Sequence, residues 1–316
     1  MSFDVFFGSF GRFLRYRQKN IFKSRGKNAT FELLKSSILV AFSGALRIYI
    51  AFLLLQTSLP SKTGPHTPDI FTCIAGGLII YSVYTLDRAL GSEEDIINRK
   101  ELSGSRKEIG LAACMLTFVI GSYLLAKRGM IVLAFLPLIT GFLYSKGIKI
   151  GKFTLKLKGG LGVKNFVVGL TWGVFISGLA GSTCKSILPM VIVFIFFGVK
   201  LFINSAIYDF KDIKGDTLAG IKTLPVSLGV RNTRNFLLGL HLFSHLILGI
   251  ALINGVLAPE PLIVLYSFIC GLFCIQNYTK YDEDEPPFRS LERTILVDGE
   301  STSIVGLRTI AVSFLV

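Results

Sequence analysis

Residues 187–216 read ILPMVIVFIFFGVKLFINSAIYDFKDIKGD. From 187 to 208 the stretch is apolar save for Lys200, Asn204 and Ser205. That is long enough to cross a hydrocarbon core, which takes about 20 residues of helix. Asp209, Asp212 and Asp216 follow at once, at the spacing i, i+3, i+7 that places them on one helical face. Three carboxylates on one face repel one another unless a cation lies between them. The stretch therefore reads as a membrane-crossing helix that ends in a cation-binding edge.

Eight further apolar runs surround it, near 33–56, 68–89, 108–126, 129–145, 162–182, 235–255, 258–277 and 301–316. Of the 316 residues, 51% are hydrophobic and only 17% charged, against about 25% charged in ordinary globular domains. The expected fold is an all-α membrane protein with nine transmembrane helices, since open sheets cannot satisfy their backbone in lipid.

Lys and Arg set the orientation. With the N-terminus cytoplasmic, 26 of the 34 fall in cytoplasmic segments, and only Lys62, Lys127, Arg128 and Lys185 lie on the other side. The remaining four, Lys35, Arg47, Lys200 and Arg308, fall within spans. The formal charge of +14 then belongs to loops facing anionic lipid and anionic substrate. No nucleic-acid-binding motif is present, so no nucleic-acid partner is expected. The basic segment 1–32 reads as an amphipathic stretch on the membrane surface and not as a cleaved leader. Residues 33–316 read as one transmembrane domain.

A second acidic cluster ends the span near 68–89. Asp87 and Asp95 stand eight residues apart with Gly91 between them, and Glu94 and Asn98 stand beside Asp95. If the helix continues, positions 87, 91 and 95 share a face and Gly91 marks a missing ligand. Either cluster alone could be solvated loop charge. Both end spans at the same cytoplasmic face, however, and that pairing favours a shared site. Hard oxygen donors in small number suit Mg²⁺, which keeps waters and shares substrate phosphates. The metal candidates are Asp87, Glu94, Asp95, Asp209, Asp212 and Asp216, and all but Glu94 are also the candidate catalytic residues. Among the surrounding cations, Arg88 and Lys164 are the best placed to bind diphosphate oxygens.

Other polar groups carry less. Arg47 and Lys200 are costly within spans and should face an interior cavity. His241 and His245 are one turn apart and suit either helix–helix hydrogen bonding or a transition-metal site, the first being favoured. Cys270 and Cys274 read as small residues of a packed helix, and nothing suggests a disulfide framework. The run from Asp282 to Glu285 reads as solvated loop.

The segment Asp209-Phe210-Lys211-Asp212-Ile213-Lys214-Gly215-Asp216, with Gly220, Thr223-Leu224-Pro225 and Gly229 after it, resembles the second aspartate-rich motif of the UbiA superfamily of intramembrane prenyltransferases. The first motif of that family is Asn-Asp-x-x-Asp-x-x-x-Asp. Here only Asp95 and the trailing Asn98 match, with Asp87, Arg88 and Gly91 at the other positions. The resemblance implies a nine-helix bundle around a central cavity, Mg²⁺ as cofactor, and a diphosphate held by Arg88, Asn98, Lys164, Asn204 and Lys222. The implied partners are a prenyl diphosphate, a hydrophobic aromatic or lipid acceptor, and membrane lipid. The implied setting is a prokaryotic cell membrane with the active site at its cytoplasmic face.

Three functions compete. A prenyltransferase ionises the diphosphate and passes the allylic group to an acceptor. A terpene cyclase of the same superfamily captures the cation on the substrate's own double bonds. A non-catalytic isoprenoid-binding or transport protein would use the same scaffold without chemistry. The transferase is the leading reading, and added acceptor separates it from the cyclase.

Overall fold

The computed structural model describes residues 28–58, 68–91, 102–145, 148–150, 153–155, 161–218, 220–281 and 286–314. Residues 1–27 of the expected surface segment lie outside them, as do Glu94, Asp95, Asn98 and the run from Asp282 to Glu285. The described residues are almost entirely helical. In chain order the helices are α1 (Ile38–Leu55, preceded by helical residues 28–35), α2 (Ile70–Leu90), α3 (Lys107–Ala126), α4 (Ile131–Ser145), α5 (Val163–Gly181), α6 (Ile187–Leu218), α7 (Leu224–Leu228), α8 (Val230–Ile253), α9 (Pro261–Tyr278), α10 (Pro287–Arg293) and α11 (Glu300–Ser313). A small antiparallel hairpin, β1 (Ile148–Ile150) and β2 (Phe153–Leu155), lies between α4 and α5.

Among the described residues seven helices are long and apolar enough to cross a membrane: α1 with its preceding turns, α2, α3, α5, α6, α8 and α9. The spans expected near 129–145 and 301–316 are occupied by shorter helices of 15 and 14 residues, α4 and α11. At about 1.5 Å per residue each is shorter than the roughly 30 Å of a hydrocarbon core, so length alone does not make either a span.

α6 is the long element, at 32 residues. About 20 residues from Ile187 suffice to cross the core, so the turns that carry Asp209, Asp212 and Asp216 lie beyond it. α5 packs along α6 through glycine. A Cβ built on Gly173 would stand 2.9 Å from the Gly198 Cα, and one on Gly169 would stand 3.1 Å from the Phe202 Cβ. Small residues four apart let two helix backbones approach closely in lipid, and the approach brings the start of α5 against the end of α6. α2 begins on Asp69, whose side chain accepts from the Phe71 N–H at 3.1 Å and from the Thr72 hydroxyl at 2.6 Å. Arg128, from the loop after α3, also holds Asp69.

α2 ends at Leu90. Gly91, just beyond it, has φ 57° and ψ 156°, a region that is essentially glycine-only. The helix therefore does not continue through Gly91, which was the condition for positions 87, 91 and 95 to share a face. Gly91 serves as the turn that stops the helix and is not an empty ligand position on its face.

The polar groups within the spans find partners between helices. Lys200 on α6 pairs with Glu300 of α11 at 2.6 Å and donates to Ser267 of α9 at 2.9 Å. It is buried in that contact, whereas an interior cavity was expected. His245 meets the Ser267 hydroxyl at 3.2 Å and His241 meets the Phe268 carbonyl at 3.0 Å. The histidine pair thus tethers α8 to α9.

Candidate active site

The ends of α2, α4 and α6 and the start of α5 converge on one cavity of about 590 Å³, within the usual range of ligand sites. Its polar end carries Asp87 and Arg88 from α2, Lys164 from α5, and Asp212 and Asp216 from α6. Its deeper wall includes Val83, Tyr84, Pro137, Val168, Trp172 and Leu201. Tyr84 and Trp172 stack there, with ring centroids 5.7 Å apart and planes 14° off parallel. A charged end above an apolar, aromatic wall matches a molecule with an anionic head and a hydrocarbon tail.

The three aspartates of α6 divide their work. Asp209 is fully buried and takes the Lys164 ammonium at 2.6 Å on one oxygen and the Asn165 amide at 2.8 Å on the other. Asn165 also donates to Ser205 at 3.1 Å. Asp209 therefore fixes Lys164 at the cavity edge, and it is Asp212 and Asp216 that line the cavity itself. On α2, Asp87 accepts the Ser145 hydroxyl at 2.7 Å. Arg88 donates to the Ser37 hydroxyl at 2.6 Å and lies 5.8 Å from the Tyr84 ring centroid. Asn204 lines the cavity, but its amide is engaged with the Val297 carbonyl at 3.1 Å. Lys222 is exposed and stands apart from the residues that line the cavity.

Among the described residues no three His, Cys, Asp or Glu side chains gather to cage a metal ion. The donors that are present nevertheless fit Mg²⁺. That ion avoids all-protein cages and is usually held by one or two carboxylates together with substrate phosphates. Asp87, Asp212 and Asp216 on opposite helices of one cavity supply such a set.

A further polar group enters the cavity from the far end of the chain. Residues Thr294–Asp298 form a single π-helical turn before α11, a feature often found at functional sites. Asp298 lines the cavity and accepts the Tyr208 hydroxyl at 2.7 Å. Burial pushes its carboxyl above the ordinary carboxylate range, against the Tyr208 hydrogen bond and the nearby Arg47, Arg88 and Arg293 charges, which pull it down. Arg47, 5% exposed, reaches the Asp298 backbone carbonyl at 3.3 Å and lines the same cavity, as expected of a charge within a span. Asn165, Ser145, Tyr208 and Asp298 were not among the sequence candidates. Asn165 carried a usable signal, an amide beside Lys164 at the head of an apolar run; Asp298 carried none.

Comparisons with known proteins bear on the family and the fold. The chain is 28% identical over 206 residues to a digeranylgeranylglyceryl phosphate synthase of Sulfolobus acidocaldarius, a match covering 60% of this chain and 69% of that protein. It is 25% identical over 216 residues to the enzyme of the same name from Methanosarcina mazei, covering 66% and 73%. Its fold is similar to that of a UbiA homolog from Archaeoglobus fulgidus solved with DMAPP and Mg²⁺, with TM-score 0.57 and 13% identity over 88% of this chain and 99% of that one. The model of the UbiA prenyltransferase family matches residues 48–296, well over half of the chain, and this protein belongs to that family.

Proposed function

We propose that this chain is a multi-pass membrane prenyltransferase that moves an isoprenyl group from a prenyl diphosphate to a lipid acceptor with the help of Mg²⁺. The observation that carries the reading is the single cavity in which Asp87, Asp212 and Asp216 stand with Arg88 and Lys164 above an apolar wall. The relatives named digeranylgeranylglyceryl phosphate synthases favour a glyceryl phosphate lipid over an aromatic ring as acceptor, with a hydroxyl as nucleophile. The charge asymmetry of the loops supports a cytoplasmic N-terminus and an active site at the cytoplasmic face, and the archaeal relatives favour a prokaryotic membrane.

Each residue has a physical part in this reading. Asp87, Asp212 and Asp216, joined by Glu94 and Asp95 of the first motif, hold the metal. Bound Mg²⁺ would neutralise the diphosphate as the carbon–oxygen bond breaks. Lys164, held by Asp209, whose other oxygen takes the Asn165 amide, and Arg88, held by Ser37, present fixed positive charge to phosphate oxygens at no cost in reorganisation. The stacked Tyr84 and Trp172 offer ring faces to the allylic group as it gains positive charge. The apolar wall shields that group from water.

The test is to incubate the purified protein with geranylgeranyl diphosphate, Mg²⁺ and geranylgeranylglyceryl phosphate, then identify the lipids by mass. Digeranylgeranylglyceryl phosphate with stoichiometric diphosphate release is the expected result. A cyclised hydrocarbon formed without acceptor would identify a cyclase. Diphosphate binding without release, across a panel of chain lengths and acceptors, would identify a binding or transport protein and overturn the enzyme.

A further inference from the structure

The transfer just proposed leaves a proton without a destination. A hydroxyl that attacks the prenyl carbon must lose its hydrogen, and the carboxylates that line the cavity are the side chains able to take it. The residues at the polar end are occupied: Asp209 by Lys164 and Asn165, and Asp87 by Ser145. Asp212 and Asp216 face the cavity alongside Lys164 and Arg88, where diphosphate and its cation compete for their lone pairs.

Asp298 stands on another wall and is held there with care. Lys200, Asn204 and Tyr208 follow one another at single-turn intervals on α6. They grip Glu300 at 2.6 Å, the Val297 carbonyl at 3.1 Å and the Asp298 carboxylate at 2.7 Å. This row fixes the π-helical turn against the cavity. We infer that Asp298 is the catalytic base of the transfer, accepting the proton of the acceptor hydroxyl as that oxygen bonds to the prenyl carbon. The inference rests on the prenyl-transfer reading. In the step, the C1–O bond of the prenyl diphosphate breaks and its electron pair leaves with diphosphate. A lone pair of the acceptor oxygen forms the new C1–O bond. The O–H pair stays on that oxygen while the proton moves to Asp298, which later returns it to water.

The surroundings suit a base. The groups facing Asp298 are Tyr208 from α6, Arg47 from α1, Tyr84 and Arg88 from α2, and Arg293 from its own segment. Arg47 touches the backbone carbonyl of Asp298 and not its carboxylate. A carboxylate that burial makes more basic than usual operates nearer to neutral pH.

The test compares Asp298→Asn, Asp298→Glu and Tyr208→Phe with the wild type, all in detergent. Transfer from geranylgeranyl diphosphate to geranylgeranylglyceryl phosphate is followed across pH, and Mg²⁺-dependent binding of labelled geranylgeranyl diphosphate is measured beside it. Asp298→Asn keeps the size of the side chain and an oxygen for Tyr208. It is expected to bind the diphosphate like wild type, to transfer about 10²- to 10⁴-fold more slowly, and to lose the acidic limb of the rate profile. Asp298→Glu should recover part of the rate. Tyr208→Phe removes a hydrogen bond that favours the carboxylate, so its acidic limb should move to higher pH while the KM for the diphosphate holds. Near-normal transfer by Asp298→Asn, or an unchanged acidic limb in it, overturns the assignment while leaving the transferase intact. Loss of diphosphate binding in Asp298→Asn would reduce the residue to scaffold and overturn it equally. A wild-type protein that transfers to no acceptor overturns the functional reading and this role with it.

Discussion

α2 and α6 both end at the cavity in carboxylates, but they end differently. α6 runs to Leu218 and keeps Asp209, Asp212 and Asp216 on continuous helix. α2 stops at Leu90, and Gly91 turns the chain away at φ 57°. The first end presents its side chains through regular geometry. The second presents Asp87 and Arg88 from its last turn of helix. An acidic spacing thus means a shared face only while the helix lasts. Even on α6 the face is divided, with Asp209 spent on Lys164 and the later two left to the cavity.

The largest expected effect would break that division. Asp209→Ala should leave the Lys164 ammonium largely buried without its partner, at a cost of about 3–5 kcal/mol. The thermal midpoint in detergent should fall steeply. Asp212→Ala should leave that midpoint within a few degrees and lower the Mg²⁺-dependent rate by about 10²- to 10³-fold, the usual consequence of removing one group that steadies developing charge. Equal losses of stability in the two variants would mean that the aspartates do not differ in kind.

Gly91 gives a middle-sized effect and sharpens the contrast between the helix ends. With its φ and ψ, Gly91→Asp should cost about 1–3 kcal/mol of stability. A Cβ there would stand 3.3 Å from the Lys107 Nζ, so the new carboxylate would meet a lysine and not the metal. The Mg²⁺ concentration at half-maximal rate should stay unchanged. Tighter Mg²⁺ binding would show that position 91 faces the metal after all.

The smallest effect concerns the opposite end of α2. Burial tends to raise the Asp69 carboxyl, but hydrogen bonds from Arg128 and Thr72 and the Arg128 charge outweigh it and hold the group below the ordinary range. A depressed folded value means that the charged form stabilises the fold. The contribution is present above about pH 4, the unfolded value, and is lost as pH falls through the folded one. Asp69→Ala, which removes a half-buried cap, should cost about 1 kcal/mol. Thermal melts of the two proteins between pH 7 and pH 3 should converge at the acid end. A gap that stays constant would mean that the ion pair contributes nothing.

Much of the molecule was legible in the chain itself. Apolar runs of lipid length located the helices, because burying a backbone in hydrocarbon admits few alternatives. The i, i+3, i+7 aspartates of α6 were correctly placed on helix, and Arg47 was correctly expected to face the interior. These are local properties, set by the period of one helix and by the cost of a charge in lipid. Only the tertiary structure decided which partner each polar group took. Lys164 meets Asp209 because glycines draw α5 onto α6. Lys200 meets Glu300 one hundred positions away, and Asp298 reaches the cavity from beyond α9 on a turn with no motif of its own. Periodicity orients a side chain about its own helix axis. The neighbour it finds depends on how helices distant in sequence pack together, and no single span encodes that.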